Sequence, residues 1–357
     1  MRYYDIAITD PSGKPVIPSS LQGAGFTSIS SLYPGTTQTN PAALDIELDI
    51  AQLSNELSNT ASYVRIYGLG LPDLSASFSL GMGPSGSSTT AYPGYGITVR
   101  AGMATGLPLA NPAQQGIVAQ GKIWQAFGNW ILTDMTVDIF FMPAMGSTSV
   151  PSNFNFNWPS GMPLAVALKN LFSVAMPGFT PSINIRPIVL PSNESGFYPD
   201  FATLASYIHD VTGPTNPVNM AINANNTITV FDGTVAPTSG AKKINFQDLI
   251  GQITWAAPFQ ITAKLVMRGD LSINDIVNFP QSVVTTTGAA LLRLSDVSNF
   301  NGNFQITRIQ HWGRYRQPDA ASWNTTIWCN VYASGANAAV ASQAAGGSWT
   351  SAPGPSS

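Results

Sequence analysis

The chain has 357 residues, of which 44% are hydrophobic and only 9% are charged, with 32 Gly and 27 Pro. Because soluble domains usually carry roughly 25% charged residues, this surface has little charge repulsion to keep it dispersed, which favours a protein committed to neighbours in an assembly. The net charge of −3, without any run of Lys or Arg, excludes the electrostatic footprint of a duplex-binding protein.

Period-two alternation of apolar and polar residues predicts a first all-β domain over residues 1–146. The clearest case is Leu44–Ile50, in which every second residue is apolar and the residues between them are Asp45, Glu47 and Asp49. Further predicted strands are Tyr4–Thr9, Tyr63–Tyr67, Ile97–Ala101, Gly116–Trp124 and Met135–Phe141. The glycine- and serine-rich stretch Gly81–Gly96 is predicted to be a flexible loop.

Residues 147–236 are predicted to form a linker followed by a small α+β domain. Pro163 opens a helical pattern of Leu164, Leu168, Leu171 and Phe172, and Asp200 is a predicted N-cap for a second helix. That second helix carries an apolar stripe of Phe201, Leu204, Ala205, Ile208 and Val211. The predicted strands are Ile183–Leu190 and a hairpin of Val218–Ile222 with Thr227–Phe231.

Residues 237–334 are predicted to form a second β-rich domain, and residues 335–357 a flexible tail of Ala, Ser and Gly. The predicted strands here are Ile244–Phe246, Ile261–Met267, Ala290–Leu294, Phe304–Gln310 and Thr325–Tyr332. The fold class is therefore mainly β with a small α+β insert. No stretch approaches about 18 consecutive apolar residues and the start has no apolar signal core, so we expect no Sec export and no stable membrane insertion.

Residues suited to catalysis or metal binding are scarce. Cys329, His209 and His311 are the only cysteine and histidines, which excludes a zinc site of the Cys/His type, and we expect structural or turn roles for both histidines. The single cysteine also excludes an internal disulfide and fits synthesis in a reducing cytoplasm. No G-x-S-x-G elbow is present, and Gly81–Gly96 lacks the Gly-Lys-Ser/Thr ending of a phosphate loop. We expect no enzyme activity, no cofactor and no metal.

The carboxylates Asp45, Glu47 and Asp49 allow several interpretations, of which glycosidase catalysis is the first. Same-face neighbours on a strand stand about 7 Å apart, within the range of inverting glycosidases, but one strand does not form a cleft. A solvated strand face, a site for a hard cation and a lumen-facing role are the other interpretations.

Several segments, taken in order, resemble the baseplate hub proteins of contractile-tailed bacteriophages, which are related to the N-terminal part of type VI secretion spike proteins. The resemblance covers roughly residues 1–335. It rests on Val64–Leu69, Ile97–Gly102, Gly116–Ile123, Thr133–Phe141, Phe246–Gln252, Gly302–His311 and Ser322–Cys329. The Gly81–Gly96 loop and the Ala/Ser tail depart from the family pattern.

The resemblance implies two tail-tube-like antiparallel β-barrel domains flanking the α/β subdomain. Three copies of such a chain present six similar barrels, so that a homotrimer adapts a sixfold tube to a threefold spike. The implied partners are a tail tube or tube-initiator protein, the central spike, and wedge or peripheral baseplate proteins, with DNA only passing through the channel. The implied location is the baseplate of the virion tail, after synthesis in the host cytoplasm.

In that setting, Asp45, Glu47 and Asp49 are expected to line the channel and to repel phosphate, an interpretation favoured by an excess of acidic residues within residues 1–150. Two alternatives to the hub stay open. The first is another virion structural or receptor-binding β-protein. The second is a virion-associated carbohydrate hydrolase whose Asp/Glu pairs are the active site.

Overall fold

The computed structural model describes residues 1–55, 62–84, 91–105, 111–142, 153–257, 259–280, 300 and 302–332. The prediction of a mainly β chain with few helices is confirmed. The predicted strand Ala290–Leu294, the tail 335–357 and the centre of the Gly81–Gly96 loop lie outside the described residues. The domain boundaries drawn from the sequence stay predictions.

The first β unit contains all six strands predicted for it, with shifted ends. Its elements are β1 (Arg2–Thr9), β2 (Pro15–Val16), β3 (Ile29–Ser30), β4 (Ile46–Leu53), β5 (Ser62–Tyr67), α1 (Leu71–Ser77), β6 (Met82–Pro84), β7 (Ala91–Pro93), β8 (Gly96–Met103), β9 (Gly116–Ile131) and β10 (Asp134–Met142). β6 and β7 pair as a short hairpin, so the flanks of the predicted loop are ordered strands. The inner faces of β1, β4, β5, β8, β9 and β10 meet in one apolar core.

The central unit packs two helices against a two-stranded and a three-stranded sheet. Its elements are β11 (Phe154–Trp158), α2 (Leu164–Ala175), β12 (Thr180–Asn184), β13 (Glu194–Tyr198), α3 (Phe201–Val211), β14 (Asn219–Asn223) and β15 (Thr227–Phe231). Both helices were predicted, and the Asp200 side chain accepts a hydrogen bond from the backbone N–H of Thr203, as an N-cap does. The predicted β14–β15 hairpin is confirmed as an antiparallel pair.

One predicted strand of the central unit, Ile183–Leu190, is wrong over most of its length. Only its first two residues belong to a strand, because the chain leaves β12 after Asn184. The backbone N–H of Arg186 then binds the Asp232 carboxylate at 2.9 Å, and the carbonyl of Ile188 accepts from the N–H of Leu164. These contacts replace ladder hydrogen bonds by a loop that ties α2 to the sheet.

The second β unit consists of β16 (Ala241–Lys243), β17 (Thr254–Ala257), β18 (Gln260–Val266), β19 (Ile276–Asn278), β20 (Asn303–Arg314) and β21 (Trp323–Tyr332). The predicted strand Ile244–Phe246 is wrong, since Ile244 is a buried loop residue and Asn245 begins a 3₁₀ turn. The Asp248 side chain caps that turn by accepting the N–H of Asn245 at 2.9 Å.

The two β units form one sheet. β20 pairs antiparallel with β4, from Arg308 opposite Leu53 to Arg314 opposite Glu47. The resulting strand order is β17-β18-β21-β20-β4-β5-β10-β9-β8-β1-β2, and the described pairings leave this sheet open at both ends. Each unit keeps its own apolar core on the same side of the sheet.

Close packing behind the sheet also fixes the two units relative to each other. Gly116 of β9 and Gly269 lie so close that a Cβ on either would overlap the backbone of the other. The N–H of Gly269 donates to the carbonyl of Gln114, and the Trp323 indole N–H donates to the carbonyl of Gly102 at 2.8 Å. Larger residues at the glycines would therefore separate the units.

A buried ionic network spans the same junction. The Arg268 guanidinium donates twice to Asp270, at 2.7 and 2.8 Å, and once to Asp248 at 3.2 Å. Asp248 also accepts from the Gln114 side chain of the first unit at 3.3 Å. The side chains of Arg268 and Asp248 are 4% and 2% exposed, so neither charge is compensated by water.

We expect Arg268→Ala to lower the free energy of unfolding by about 3–5 kcal/mol, because it leaves two carboxylates without their cation. Urea unfolding measures this change. The matched control is Arg308→Ala on β20, whose guanidinium is exposed and lies over the Trp328 ring at 4.4 Å. Equal unfolding midpoints for the two variants would contradict the role of the network.

His311 lies on β20 inside the joint, between Ile50 of β4 and Thr325 of β21. Its ring is fully buried, its Nδ1 is 2.9 Å from the Thr325 hydroxyl, and its Nε2 has no hydrogen-bond partner. Burial lowers the pKa of His311 from 6.5 to about 3, against a smaller opposing effect of Asp270. The sequence had placed this histidine at the end of a strand, in a turn or structural role.

Acidification should weaken the fold through this group. As the pH falls below 6.5, His311 becomes protonated in the unfolded chain, whereas in the folded chain it stays neutral down to about pH 3. The free energy of unfolding therefore decreases as the pH falls across that window. The expected loss between pH 7 and pH 5 is about 2 kcal/mol. Unfolding measured against pH should show a shallower slope in His311→Leu than in the original chain, and an unchanged slope would contradict this role of His311.

Candidate functional site

The carboxylates singled out from the sequence lie on the side of the sheet away from the cores. Ile46, Leu48 and Ile50 are 0–1% exposed in the core, and Glu47 and Asp49 project to the opposite side of β4. Asp45 lies directly before β4. The alternation predicted for this strand is confirmed. We call this side of β18, β21, β20, β4, β5, β10 and β9 the polar face.

Arginines from the neighbouring strands accompany the three carboxylates. Asp45 accepts the backbone N–H of Arg316 at 3.0 Å and has the Arg314 Nε at 3.9 Å. Glu47 pairs across the sheet with Arg65 on β5 and with Arg314 on β20. The acidic stripe of the sequence is thus flanked by cations in the fold.

The remaining hydrogen bonds of the stripe come from neutral groups. The hydroxyl of Tyr67 donates to Glu47 at 3.0 Å, and the side-chain amide of Gln310 donates to Asp49 at 3.0 Å. All three carboxylates therefore accept hydrogen bonds from neighbouring residues, and none of them is an unpaired group available to a substrate.

Asp138 on β10 is the most densely bonded acid of the polar face. It is 3% exposed and accepts from Arg65 Nε at 2.5 Å and Nη2 at 3.2 Å, from the Tyr63 hydroxyl at 3.2 Å and from Asn129 at 2.8 Å. The hydrogen bond to Asp138 raises the pKa of Arg65 above its ordinary value. Burial, and then the charge of Asp138, raise the pKa of Tyr63. The cluster is built to hold a fixed charge pair.

Aromatic rings and further cations extend the polar face to both sides. Phe140 lies 5.1 Å from Tyr63 and 5.7 Å from Phe127, measured between ring centroids. On the other side of β4, Arg308 lies over Trp328. The charged residues at polar-face positions of these strands are Glu47, Asp49, Asp134 and Asp138 with Arg65, Lys122, Lys264, Arg308 and Arg314. The face is therefore nearly balanced in charge and rich in flat side chains.

Catalytic and metal-binding chemistry finds little support in the part of the chain that the structure describes. That part contains no group of three His, Cys, Asp or Glu side chains close enough to hold a metal ion. Cys329 is fully buried, and burial raises the pKa of its thiol, which disfavours the reactive thiolate. His209 is on α3 beside Asp210, 3.4 Å away. Among the described helices, none has the length and apolarity to cross a membrane.

Sequence reasoning missed the cationic half of the polar face. Arg65 and Arg314 stand at alternate positions beside the aromatic residues Tyr63, Tyr67 and Trp312, a pattern visible in the sequence. What the sequence did not contain is the pairing of β20 with β4, which brings Arg314 to Glu47 across more than 250 residues. A search for two-sided polar strands would have found the residues but not their contacts.

Comparison with known proteins finds similarity in structure only. No family model and no curated protein matches the sequence. The fold is similar to a tail protein from Neisseria meningitidis (TM-score 0.47, 10% identity, 92% of this chain and 98% of that one). It is also similar to an E. coli type VI secretion component whose structure is described as resembling phage T4 tail proteins (0.44, 9%, 81% and 74%).

A third similar structure is the 43 kDa tail protein of prophage MuSo2 from Shewanella oneidensis (TM-score 0.41, 10% identity, 82% of this chain and 99% of that one). The predicted resemblance to phage tail and type VI secretion proteins is thereby confirmed. Identities near 10% indicate similarity of fold alone.

Asp138→Ala is expected to destabilise the fold by about 2 kcal/mol, because it removes a buried acceptor and leaves the donors of Tyr63, Arg65 and Asn129 without it. Asp49→Ala is the matched control on the same face, since Asp49 is exposed and its side chain accepts only from Gln310 in the described contacts. Its expected change is within about 0.5 kcal/mol. Thermal or urea unfolding of both variants measures the difference, and a similar loss in both would show that Asp138 is no anchor.

Proposed function

We propose that the chain is the structural baseplate hub of a phage tail, a homotrimer that adapts the sixfold tail tube to the threefold central spike and encloses the DNA channel. The sequence resemblance supports this proposal. The observation that carries it is the joined sheet, in which two β units present one continuous polar face. The tube or tube-initiator protein, the central spike and the wedge or peripheral proteins are the proposed partners, and the virion baseplate is the proposed location.

Eight strands of the sheet form what we call the wall, in the order β17-β18-β21-β20-β4-β5-β10-β9. Every neighbouring pair in the wall is antiparallel, so its first and last strands run in opposite directions. The β9 edge of one copy can therefore pair with the β17 edge of the next and continue the alternation. An odd number of strands would force a parallel pair at each junction.

Both edges of the wall include backbone without a strand partner among the described residues. All four residues of β17 are exposed, and β18 is its sole strand partner in the described part of the chain. β8 pairs with β9 only from Gly116 to Lys122; beyond it the Tyr95 carbonyl accepts the N–H of Ile123 and Gly81 lies beside Trp124, and β10 is the one strand that pairs with the rest of β9. Neither β17 nor this part of β9 contains a charged residue or proline, the usual guards of an exposed edge.

A closed wall of three copies leaves room for a DNA duplex. With strands about 4.8 Å apart, three walls give a circumference of at least about 115 Å and a backbone diameter of at least about 37 Å, and strand tilt enlarges both. Side chains occupy about 5 Å on each side, which leaves at least about 27 Å, enough for a DNA duplex.

The polar face supplies the lining in this proposal, with Asp45, Glu47 and Asp49 among the channel residues. The arginines beside them change the reason that DNA would slide. A nearly neutral lining releases few counterions and so gives phosphate little to bind, whereas a purely acidic lining would also slow its entry. The same balance makes the carbohydrate hydrolase the weaker alternative, because Glu47 and Asp49 are hydrogen-bonded on an open sheet and Asp45 lines only a shallow pocket beside Arg314 and Arg316.

Electron microscopy of the purified protein tests the proposal by counting subunits around the axis. We expect three subunits enclosing a through-channel with the polar face inside. A monomer or dimer at micromolar concentration, or a trimer with Asp45, Glu47 and Asp49 on its outer wall, would refute it.

An exposed lysine on the edge should block ring closure. We expect Ala256→Lys on β17 to raise the concentration at which trimers form at least tenfold, because a charge would be buried where two strands pair. The matched control is Val174→Lys on α2, where 84% of the side chain is exposed away from the wall. Mass photometry of both variants gives the comparison, and equal trimer fractions would argue against pairing through β17.

A further inference from the structure

The tip of the β9–β10 hairpin is an exposed apolar group. Trp130, Ile131 and Leu132 are 63%, 66% and 91% exposed. The Trp130 indole N–H donates to the carbonyl of Leu132 at 2.9 Å, which holds the tip in one conformation, and Leu132 has a φ of 56°. No residue from Asn129 to Thr133 is charged. Three adjacent large apolar side chains in water favour burial against a partner.

A cleft of about 890 Å³ opens between the N-terminus and the β20–β21 turn. Its apolar lining comes from Met1, Met103, Val266, Tyr315, Pro318 and Trp323. This is the chemistry that a tryptophan with two aliphatic neighbours would fill.

The cations of the cleft are already committed to its walls. The Arg2 guanidinium donates to the carbonyl oxygens of Arg314, Tyr315 and Asp319. Arg316 donates to the carbonyls of Pro41 and Ala43. Because these donors hold the loops in place, the cleft suits an uncharged apolar occupant better than an acidic peptide.

The hairpin tip and the cleft lie at the same end of the wall. β20 ends at Arg314 opposite the start of β4, and β10 begins beside the end of β5. Arg316 lines the cleft and also lines a shallow pocket together with Asp134, the first residue of β10. Val266, which lines the cleft, is the last residue of β18, one strand in from the β17 edge.

We propose that the tip Trp130–Leu132 of one copy occupies the cleft of the next copy in the ring. This contact rests on the proposed trimer, in which β9 of one copy lies beside β17 and β18 of its neighbour at the same height. It is a heterologous contact, since the donor surface and the acceptor surface differ, and such contacts form a ring when the rotation between successive copies closes. The tip would stabilise each of the three junctions between copies.

Disulfide trapping tests the contact in the full chain. Leu132→Cys and Ala320→Cys place thiols on the tip and at the cleft, while the native Cys329 is fully buried. Under mild oxidation we expect the doubly substituted chain to give covalent trimers. A mixture of two singly substituted chains should give covalent dimers only. The control pair Val174→Cys with Ala320→Cys should give neither.

An affinity measurement provides a second readout. Trp130→Ala is expected to raise at least tenfold the protein concentration at which half of the trimers dissociate. Trp130→Phe is expected to restore the original value. Phe197→Ala, at a 65% exposed ring on β13, should leave the midpoint unchanged.

The outcomes separate the contact from the trimer itself. Trimers with a covalent ladder support both. Trimers without covalent species above the control overturn the contact and leave the hub proposal standing. A native chain that does not form trimers overturns both, and covalent dimers alone from the doubly substituted chain would show a twofold contact instead of a ring.

Discussion

The pairing of β20 with β4 is the interaction on which the remaining architecture depends. It joins residues more than 250 positions apart, and it decides that two β units expose one polar face instead of two. Two further contacts hold the β units in the same relative orientation. They are the close approach of Gly116 to Gly269 and the hydrogen-bond network of Arg268. Such long-range pairing has a high entropic cost of loop closure, which its contacts must offset.

Local patterns were enough to locate most strands and both long helices. Alternation at β4 and the Asp200 cap each carry their own signal, because one face of the strand and one stripe of the helix must be apolar. The errors arose where a side chain replaced a ladder hydrogen bond. Asp232 holds the backbone of Arg186, and Asp248 caps the turn at Asn245. Tertiary partners of this kind leave no periodic trace in the sequence.

The acidic part of the candidate site could be predicted, and its cationic part could not. Asp45, Glu47 and Asp49 stand at alternate positions of one short segment, whereas Arg65 and Arg314 lie beside that segment on β5 and β20. Charge counted along the chain therefore suggested a repulsive surface, and charge counted across the sheet gives a nearly neutral one. For a surface made of several strands, the charge summed across the sheet decides which charged polymers adhere to it.

An open, unguarded edge and an apolar hairpin tip are liabilities for a monomer, because either can start uncontrolled aggregation. The wall has both, yet its strands alternate so that one edge matches the other, and its tip and cleft lie at the same end. A contact that closes after a few copies removes all of these surfaces together, whereas an open chain of copies always leaves two exposed. In the proposed ring, closure would cover the edges and the tips, so that the strand directions and the tip, more than surface charge, would limit aggregation of a chain with so few charged residues.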